Sequence, residues 1–291
     1  MKAVIDWVVA QRYRPVLLAM MFSVLVPVVS TALVGLVAVR RGAAQAALSA
    51  AAGIAAVAFI EFITSGHVGV LTAIAGGTMT AGVALGALVA WTRGLSLSFQ
   101  ATLLFCVVAA VAITLFGPTP HQIFASVIDG LVQTLQKNGA TAAQLQAARG
   151  LDSLLLGLVF AALFTGLVAG LLLIYWWVSL MRSDLAFGRE FRLLRMGHVL
   201  GVPALIIVSA GLVLDTPVVH NLTLLALFAF LFQGLAVMHA WAHAKHWHPL
   251  LLFLIYLLFV TPLNVAAILG LSVVGLLDNV FELRSPLRTQ A

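Results

Sequence analysis

Charged side chains are scarce in this sequence. Only 8% of its 291 residues are Asp, Glu, Lys or Arg, whereas 63% are hydrophobic, and soluble proteins carry about a quarter charged residues. This shortage excludes a soluble globular protein. Several apolar runs reach the ~20 residues that a helix needs to cross the hydrocarbon core of a bilayer, and none alternates in the manner of an outer-membrane barrel strand. The sequence therefore predicts an all-α, polytopic helical bundle in a membrane.

Cysteine is nearly absent, and basic residues do not cluster. The single cysteine, Cys106, lies inside an apolar run, which excludes a disulfide framework and a thiolate metal cluster. The formal net charge is +6 and the pI is about 10.3, but the Lys and Arg residues are scattered over the loops. Because nucleic-acid binding needs a basic face, no nucleic-acid partner is expected.

The hydropathy pattern predicts eight membrane spans in one membrane domain, residues 1–291, with an amphipathic interfacial segment at 1–14. An even number of spans places both ends of the chain on the same side of the membrane. The Lys and Arg residues of alternate loops are nearly balanced in number, so they do not decide the orientation. The predicted spans are 15–39, 43–62, 68–91, 97–116, 153–180, 199–214, 218–240 and 250–277.

Two connections are long enough to carry structure of their own. In 117–151, apolar residues recur every four positions, which predicts an amphipathic helix on the membrane surface or over the bundle. The 182–197 segment interleaves arginines with apolar side chains and is predicted to be a basic interfacial loop. The apolar positions of the first segment are Ile123, Val127, Leu131 and Leu135, and the arginines of the second are Arg189, Arg192 and Arg195.

The span count bears on what these arginines bind. With eight spans, 182–197 and 278–284 fall on opposite sides of the membrane, so an ion pair between them is excluded. The arginines are then expected to contact lipid phosphates or an anionic ligand, at about 1 kcal/mol for each basic residue near an anionic surface. The alternative is that they only keep the loop solvated.

The segment HAWAHAKHWHP, residues 239–249, concentrates histidine and tryptophan. If the seventh span stays helical to its end, His239, His243 and His246 form one row of imidazoles, which is a metal-ligand geometry. Lys245 lies in the same turns, however, and no Asp or Glu occurs between Asp215 and Asp278. Histidine and tryptophan also suit the headgroup level of a membrane. We therefore expect this segment to be a helix end at the membrane–water interface that binds no metal ion or cofactor.

Proline and glycine indicate helix interruptions and close helix contacts inside the predicted spans. Pro27 and Pro262 interrupt the first and the last of them, and Asn264 places an amide at membrane depth. Such an interruption is either a packed kink or part of a binding site. Pairs of small residues four positions apart predict close helix packing within the chain. These pairs are Gly82 with Gly86 and Gly166 with Gly170.

Three segments resemble a known family. They are FGREFRLLRMG (187–197), GLAVMHAWA (234–242) and LLDNVFELR (276–284), with Tyr256 and Pro262 in the last span and LVAVRRG after the first. They are similar to the YybS-like predicted membrane proteins of bacteria, a family built on a domain of unknown function. The resemblance implies a protein of the bacterial inner membrane. It also implies a fold distantly similar to the substrate-binding S-components of energy-coupling-factor vitamin transporters.

The family pattern is carried over residue by residue. Glu282 stands where the family typically has Asp, and of the histidines in 239–248 only the first belongs to the pattern. The matching positions are Phe187, Gly188, Glu190, Phe191, Arg192, Arg195, His239, Asp278 and Arg284.

The sequence leaves the function open between three hypotheses. The first is a non-enzymatic binder of a small molecule or lipid, in which Gln233, Tyr256 and Asn264 face a common cavity. The second is a membrane scaffold or partner subunit that docks a membrane protein through 117–151 and 182–197. The third, a metalloenzyme, needs the histidine row together with carboxylates from elsewhere. No carboxylate pair has the spacing of an acid and base dyad, so we expect no enzyme activity.

Overall fold

The computed structural model describes residues 1–92, 94–117, 119–182, 185–214 and 216–285, with only the backbone of Val70, Asp152 and Ser153. Within these ranges the chain forms fourteen α-helices and no strand. The helices are α1 (Lys2–Ala10), α2 (Tyr13–Leu25), α3 (Pro27–Arg41), α4 (Ala43–Ser65), α5 (Val70–Thr92), α6 (Leu95–Phe116), α7 (Pro120–Lys137), α8 (Ala142–Arg149), α9 (Asp152–Met181), α10 (Phe187–Arg192), α11 (Gly197–Ala210), α12 (Pro217–Ala244), α13 (Pro249–Leu258) and α14 (Asn264–Phe281).

Six helices of the described chain are long and apolar enough to cross a membrane: α4, α5, α6, α9, α12 and α14. The number becomes seven if α1 and α2, which are bent by 110° at their junction, count as one span. The protein is thus a helical, multi-pass membrane protein, but the predicted count of eight is not confirmed. Two apolar helices within the predicted spans are shorter: α11, in the sixth predicted span, has 14 residues, and α13, in the first part of the eighth, has 10. At 1.5 Å per residue they reach only about 21 and 15 Å.

The chain divides into two compact units, each built from two stretches of sequence. Unit 1 contains Met1–Thr102 and Thr165–Leu194, and unit 2 contains Leu103–Phe164 and Arg195–Ala291. Helices α6 and α9 therefore contribute residues to both units. The cluster of polar residues and the cavity described below lie within single units.

Helix α3 is the centre of unit 1. Its nine consecutive residues Ser30–Ala38 are all buried, as expected for a helix that is apolar on every side. Gly82 and Gly86 of α5 lie against the backbone of Thr31 and Gly35 of α3. A Cβ atom at either glycine would collide with a carbonyl oxygen of α3. Of the two predicted glycine pairs, Gly82 with Gly86 is thus used for packing between two helices of the same unit. Gly166 of the other pair is not, since a Cβ atom there would meet nothing within 4 Å.

The predicted first span, 15–39, is wrong as a single helix. It consists of α2 and α3, which fold back on each other at Val26. The Ser30 hydroxyl donates to the carbonyl oxygen of Ala19 at 3.1 Å, although the two residues are 11 positions apart. In a continuous helix this separation is about 16 Å. The physical reason is Pro27, which has no N–H to continue α2 and is favoured at the first position of a new helix.

Helices α12 and α14 are the main pair of unit 2, and they run parallel. Residue numbers rise together along the contact: the Ser272 hydroxyl bonds the Leu227 carbonyl oxygen at 2.7 Å, and Gln233 bonds Asp278 at 2.8 Å. Parallel neighbours require the chain to return between them. The 245–263 stretch, which contains α13, makes this return.

The predicted eighth span, 250–277, is therefore wrong as one helix as well. It is divided by the turn at 259–263 into α13 and α14. Pro262 marks a change of direction, as Pro27 does in unit 1, and not a kink within one span. The division adds one reversal to the chain path after α12. As a result, the start of α11 and the end of α14 lie at the same end of unit 2.

The 117–151 segment contains α7 and α8, each of which begins with a capping box. Thr119 pairs with Gln122 in the first box, and Thr141 pairs with Gln144 in the second. The two helices share a small core of Ile128, Val132 and Ala148. Of the four apolar positions singled out in the sequence, Leu135 packs against this core, but the other three do not. Ile123, Val127 and Leu131 are 39%, 58% and 38% exposed, so α7 carries a second apolar stripe that its own unit does not cover.

Candidate functional site

Asp278 and Arg284 form a buried ion pair at the end of α14. The Asp278 side chain has no exposed surface and the Arg284 side chain is 6% exposed. Arg284 donates twice to the carboxylate, from Nε to Oδ1 at 3.1 Å and from Nη2 to Oδ2 at 2.6 Å. A two-point contact of this kind is the strong geometry for a guanidinium and a carboxylate. The negative charge that α14 buries near its C-terminal end is thus matched by a cation.

A left-handed residue brings the two partners together. Helix α14 ends at Phe281, and Glu282 follows with φ 49° and ψ 51°. The Glu282 N–H donates to the Asp278 carbonyl oxygen at 3.0 Å, which closes the helix end. The chain then folds back, so that Arg284 reaches a side chain six positions earlier. A residue other than glycine in this conformation costs about 1–2 kcal/mol, so the turn is held by its surroundings.

Gln233 of α12 extends the ion pair into a network. Its amide Nε2 donates to Asp278 Oδ2 at 2.8 Å, and its Oε1 accepts the Met196 N–H at 2.9 Å. Gln233 and Met196 have no exposed surface. Three helices are joined in this way, because Met196 precedes α11, Gln233 belongs to α12 and Asp278 belongs to α14. We call Met196, Gln233, Asp278 and Arg284 the polar lock.

An outer ion pair lies beside the polar lock. Arg195 Nη1 lies 3.2 Å from Glu282 Oε1, and the two side chains are 22% and 45% exposed. The predicted eight-span topology excludes an ion pair between these two segments, and that prediction is wrong. It has three crossings between Arg195 and Glu282, whereas the chain reverses once more at 259–263. Arg195 therefore has a carboxylate partner within its own unit.

The other candidates of the basic segment belong to unit 1. Arg189 is exposed, and Glu190 and Arg192 are half-buried on α10. Phe187 and Phe191 stack with their ring centres 6.0 Å apart, and Phe191 is buried. The predicted basic loop thus contains a short helix anchored by an aromatic side chain. The structure does not test the prediction that its arginines contact lipid phosphates or an anionic ligand.

The histidine row is not continuous. Helix α12 ends at Ala244, and His246 lies beyond it with φ 50°. His239 Nδ1 contacts the Leu235 carbonyl oxygen at 2.9 Å, and its Nε2 lies 3.3 Å from the Tyr256 hydroxyl. His248 caps α13 by accepting the Leu250 N–H on Nδ1 at 3.3 Å. Among the described residues, no group of three or more His, Cys, Asp or Glu side chains is placed to hold a metal ion.

The predicted common cavity of Gln233, Tyr256 and Asn264 is wrong. Gln233 is committed to the polar lock, and Tyr256 contacts His239 on the half-exposed side of α12. Asn264 is exposed at the first turn of α14. Fourteen residues of one helix separate it from Asp278, which is about 21 Å. The division of the predicted eighth span is the reason, because it moves Asn264 from the middle of a helix to the start of one.

Unit 1 contains a cavity that the sequence did not predict. Its volume is about 200 Å³, and it lies between the α2–α3 turn and the facing sides of α4 and α5. Ala75 and Met79 line it from α5, and Val57 and Glu61 line it from α4. The only signal in the sequence was Pro27, which lies at the turn. Because a kinked helix and two helices joined by a turn have the same apolar pattern, nothing in the sequence indicated a space between helices.

Comparison of the chain with protein-family models, with curated proteins and with solved structures finds no match.

The end of α12 allows a prediction on stability. His246 follows the cap residue Lys245 in a left-handed conformation, and the Trp247 N–H donates back to the Ala242 carbonyl oxygen at 2.9 Å. Glycine is the residue favoured at this position. We expect His246→Gly to raise the free energy of unfolding by about 1 kcal/mol, measured by denaturation of the detergent-purified protein.

Lys245→Gly is the matched control, since Lys245 has φ −97° and gains nothing from glycine. This variant is expected to be neutral or less stable, because glycine only adds freedom to the unfolded chain. Equal effects of the two variants would contradict the assignment of the left-handed cap to His246.

Proposed function

We propose that this protein is a non-enzymatic, multi-pass protein of the bacterial inner membrane that binds a small molecule or a lipid within its helices. The cavity of unit 1 is the observation that carries this proposal. Its volume exceeds the ~150 Å³ of an engineered cavity that holds benzene. The resemblance to the YybS-like family and to the S-components of uptake transporters suggests a role in uptake or sensing.

The polar lock has a different role in this proposal. The Asp278 carboxylate already accepts two bonds from Arg284 and one from Gln233, and the Gln233 oxygen accepts the Met196 amide. Buried polar groups with partners inside the protein have no need of a ligand. Asp278, Arg284 and Gln233 therefore hold α11, α12 and α14 in position, and the ligand is assigned to the cavity.

A membrane scaffold is the second candidate function. The apolar stripe of Ile123, Val127 and Leu131 on α7 favours it, because these side chains are exposed while the helix packs through another face. Exposed apolar stripes at helical spacing are a common way to bind another helix. In this reading α7 would dock a membrane-protein partner.

The test of the binder is to fill the cavity. We expect Ala75→Phe, which places a ring in the space beside Met79, to lower the occupancy of a co-purified ligand at least tenfold. Native mass spectrometry of the detergent-purified protein measures this occupancy. Ala73→Phe is the matched control, because Ala73 is on the same helix but exposed. If both variants retained the ligand equally, the ligand would bind outside this cavity. If a membrane-protein subunit co-purified and no ligand did, the result would favour the scaffold.

A further inference from the structure

The polar groups around the cavity restrict the chemistry of its ligand, and this inference rests on the function proposed above. Glu61 is the one charged residue among those that line the cavity. Its carboxylate accepts the N–H groups of Gly69, Leu71 and Thr72 at 2.9, 3.0 and 3.0 Å, and the Thr72 hydroxyl at 2.6 Å. A carboxylate has about four acceptor sites. Glu61 is thus occupied in closing the start of α5.

The hydroxyl groups of the lining are committed as well. Ser23 donates to the Met20 carbonyl oxygen at 2.7 Å, Thr64 donates to Ile60 at 2.9 Å, and Thr78 donates to Ile74 at 3.0 Å. Each bond stays within the donor's own helix. These hydroxyl groups therefore have no O–H donor left for a ligand. An anionic ligand, or one rich in acceptor groups, that left water for this cavity would find those groups unpaired, which is unfavourable.

The rim of the cavity is apolar and exposed. Val24 and Ile60 are 43% and 42% exposed, and Leu71 and Ile74 are 60% and 56% exposed. All four line the cavity, and they belong to α2 and to the candidate spans α4 and α5. In a membrane such side chains face lipid tails. An opening with such a rim is suited to contact with lipid tails.

We propose that the cavity of unit 1 binds an uncharged hydrocarbon chain that enters from the bilayer between α2, α4 and α5. The volume, the committed polar groups and the apolar rim all fit a methylene chain. The chain is either the acyl tail of a membrane lipid or a free long-chain molecule. Glu61 takes no part in recognising it, and shapes the cavity only by fixing the turn between α4 and α5.

Photolabelling of the full chain in lipid nanodiscs tests the proposal. One probe is a phosphatidylglycerol with a diazirine in its acyl tail, and the other is 1-hexadecanol with a diazirine in mid-chain. We expect label on Met79 or Thr78, mapped by peptide mass spectrometry, with at least one probe. Labelling by the phospholipid alone identifies a lipid tail, and labelling by the alcohol identifies a free chain.

Variants separate the cavity from ordinary lipid contact. Ala75→Phe is expected to reduce the label on Met79 and Thr78 at least fivefold, and Ala73→Phe is expected to leave it unchanged. Ala75→Leu is the milder replacement if the ring disturbs folding. Label at these residues that is insensitive to Ala75→Phe and Ala75→Leu, or no label with either probe, would overturn the proposal. If a polar molecule co-purifies and is lost in Ala75→Phe while the probes fail, the function stands and only the ligand class is wrong.

Discussion

Replacing Arg284 by methionine is expected to lower the free energy of unfolding by about 3–5 kcal/mol. The replacement leaves the Asp278 carboxylate buried with no exposed surface and with Gln233 as its remaining side-chain partner. Removing one member of a buried ion pair costs this much because the other charge stays behind without compensation. Denaturation of the purified protein in mixed micelles measures the loss.

Two further variants make the result specific. Arg195→Gln removes the outer ion pair with Glu282, whose side chains are 22% and 45% exposed. It is expected to cost less than about 1 kcal/mol, as partly exposed pairs do. The double variant Asp278→Asn with Arg284→Met removes both charges and is expected to regain most of the loss. If Arg284→Met lowered the free energy of unfolding by no more than Arg195→Gln does, the polar lock would not stabilise the end of α14.

The second large effect is expected at Gly275. A Cβ atom there would collide with the Phe230 carbonyl oxygen and the Gly234 backbone of α12. Both obstacles are main-chain atoms, so neither moves aside by changing a rotamer. We expect Gly275→Ala to lower the free energy of unfolding by about 1–3 kcal/mol or more, through forced separation of the two helices.

Gly270 provides a control on the same helix. A Cβ atom at Gly270 meets nothing within 4 Å, and alanine is a better helix former than glycine by up to about 1 kcal/mol. Gly270→Ala is therefore expected to be neutral or stabilising, opposite in sign to Gly275→Ala. Loss of stability in both variants would mean that the contact between α12 and α14 is not the cause.

Hydropathy predicted most of the helices, because lipid demands long apolar runs and these runs are visible in the sequence. It failed at Pro27 and Pro262. The residues on both sides of each proline are apolar, so a kinked span and two helices folded back on each other have the same pattern. The difference depends on contacts distant in sequence, such as the bond between Ser30 and Ala19.

For the polar lock too, the sequence indicated the residues but not the contacts between them. Asp278, Arg284 and Gln233 were singled out as candidates, but no spacing rule joins residues six apart at a helix end. The contact between Asp278 and Arg284 depends on the left-handed conformation of Glu282. This conformation favours glycine, so the sequence does not predict it at a glutamate. Because the turn near Pro262 was not predicted, the eight-span topology has Arg195 and Glu282 on opposite sides of the membrane. For this reason their ion pair was not predicted.

The parallel arrangement of α12 and α14 also sets the order in which unit 2 folds. Synthesis completes α12 at Ala244, but its partner helix begins only at Asn264, after the chain has turned back through α13. Until then the side-chain oxygen Oε1 of Gln233 can accept the Met196 N–H, but its side-chain NH₂ group has no carboxylate to donate to. Contacts that need such a return of the chain form late and slowly. Unit 2 is therefore expected to close only after α14 and Arg284 have been synthesised, because the last partners of Gln233 and Asp278 come from this end of the chain.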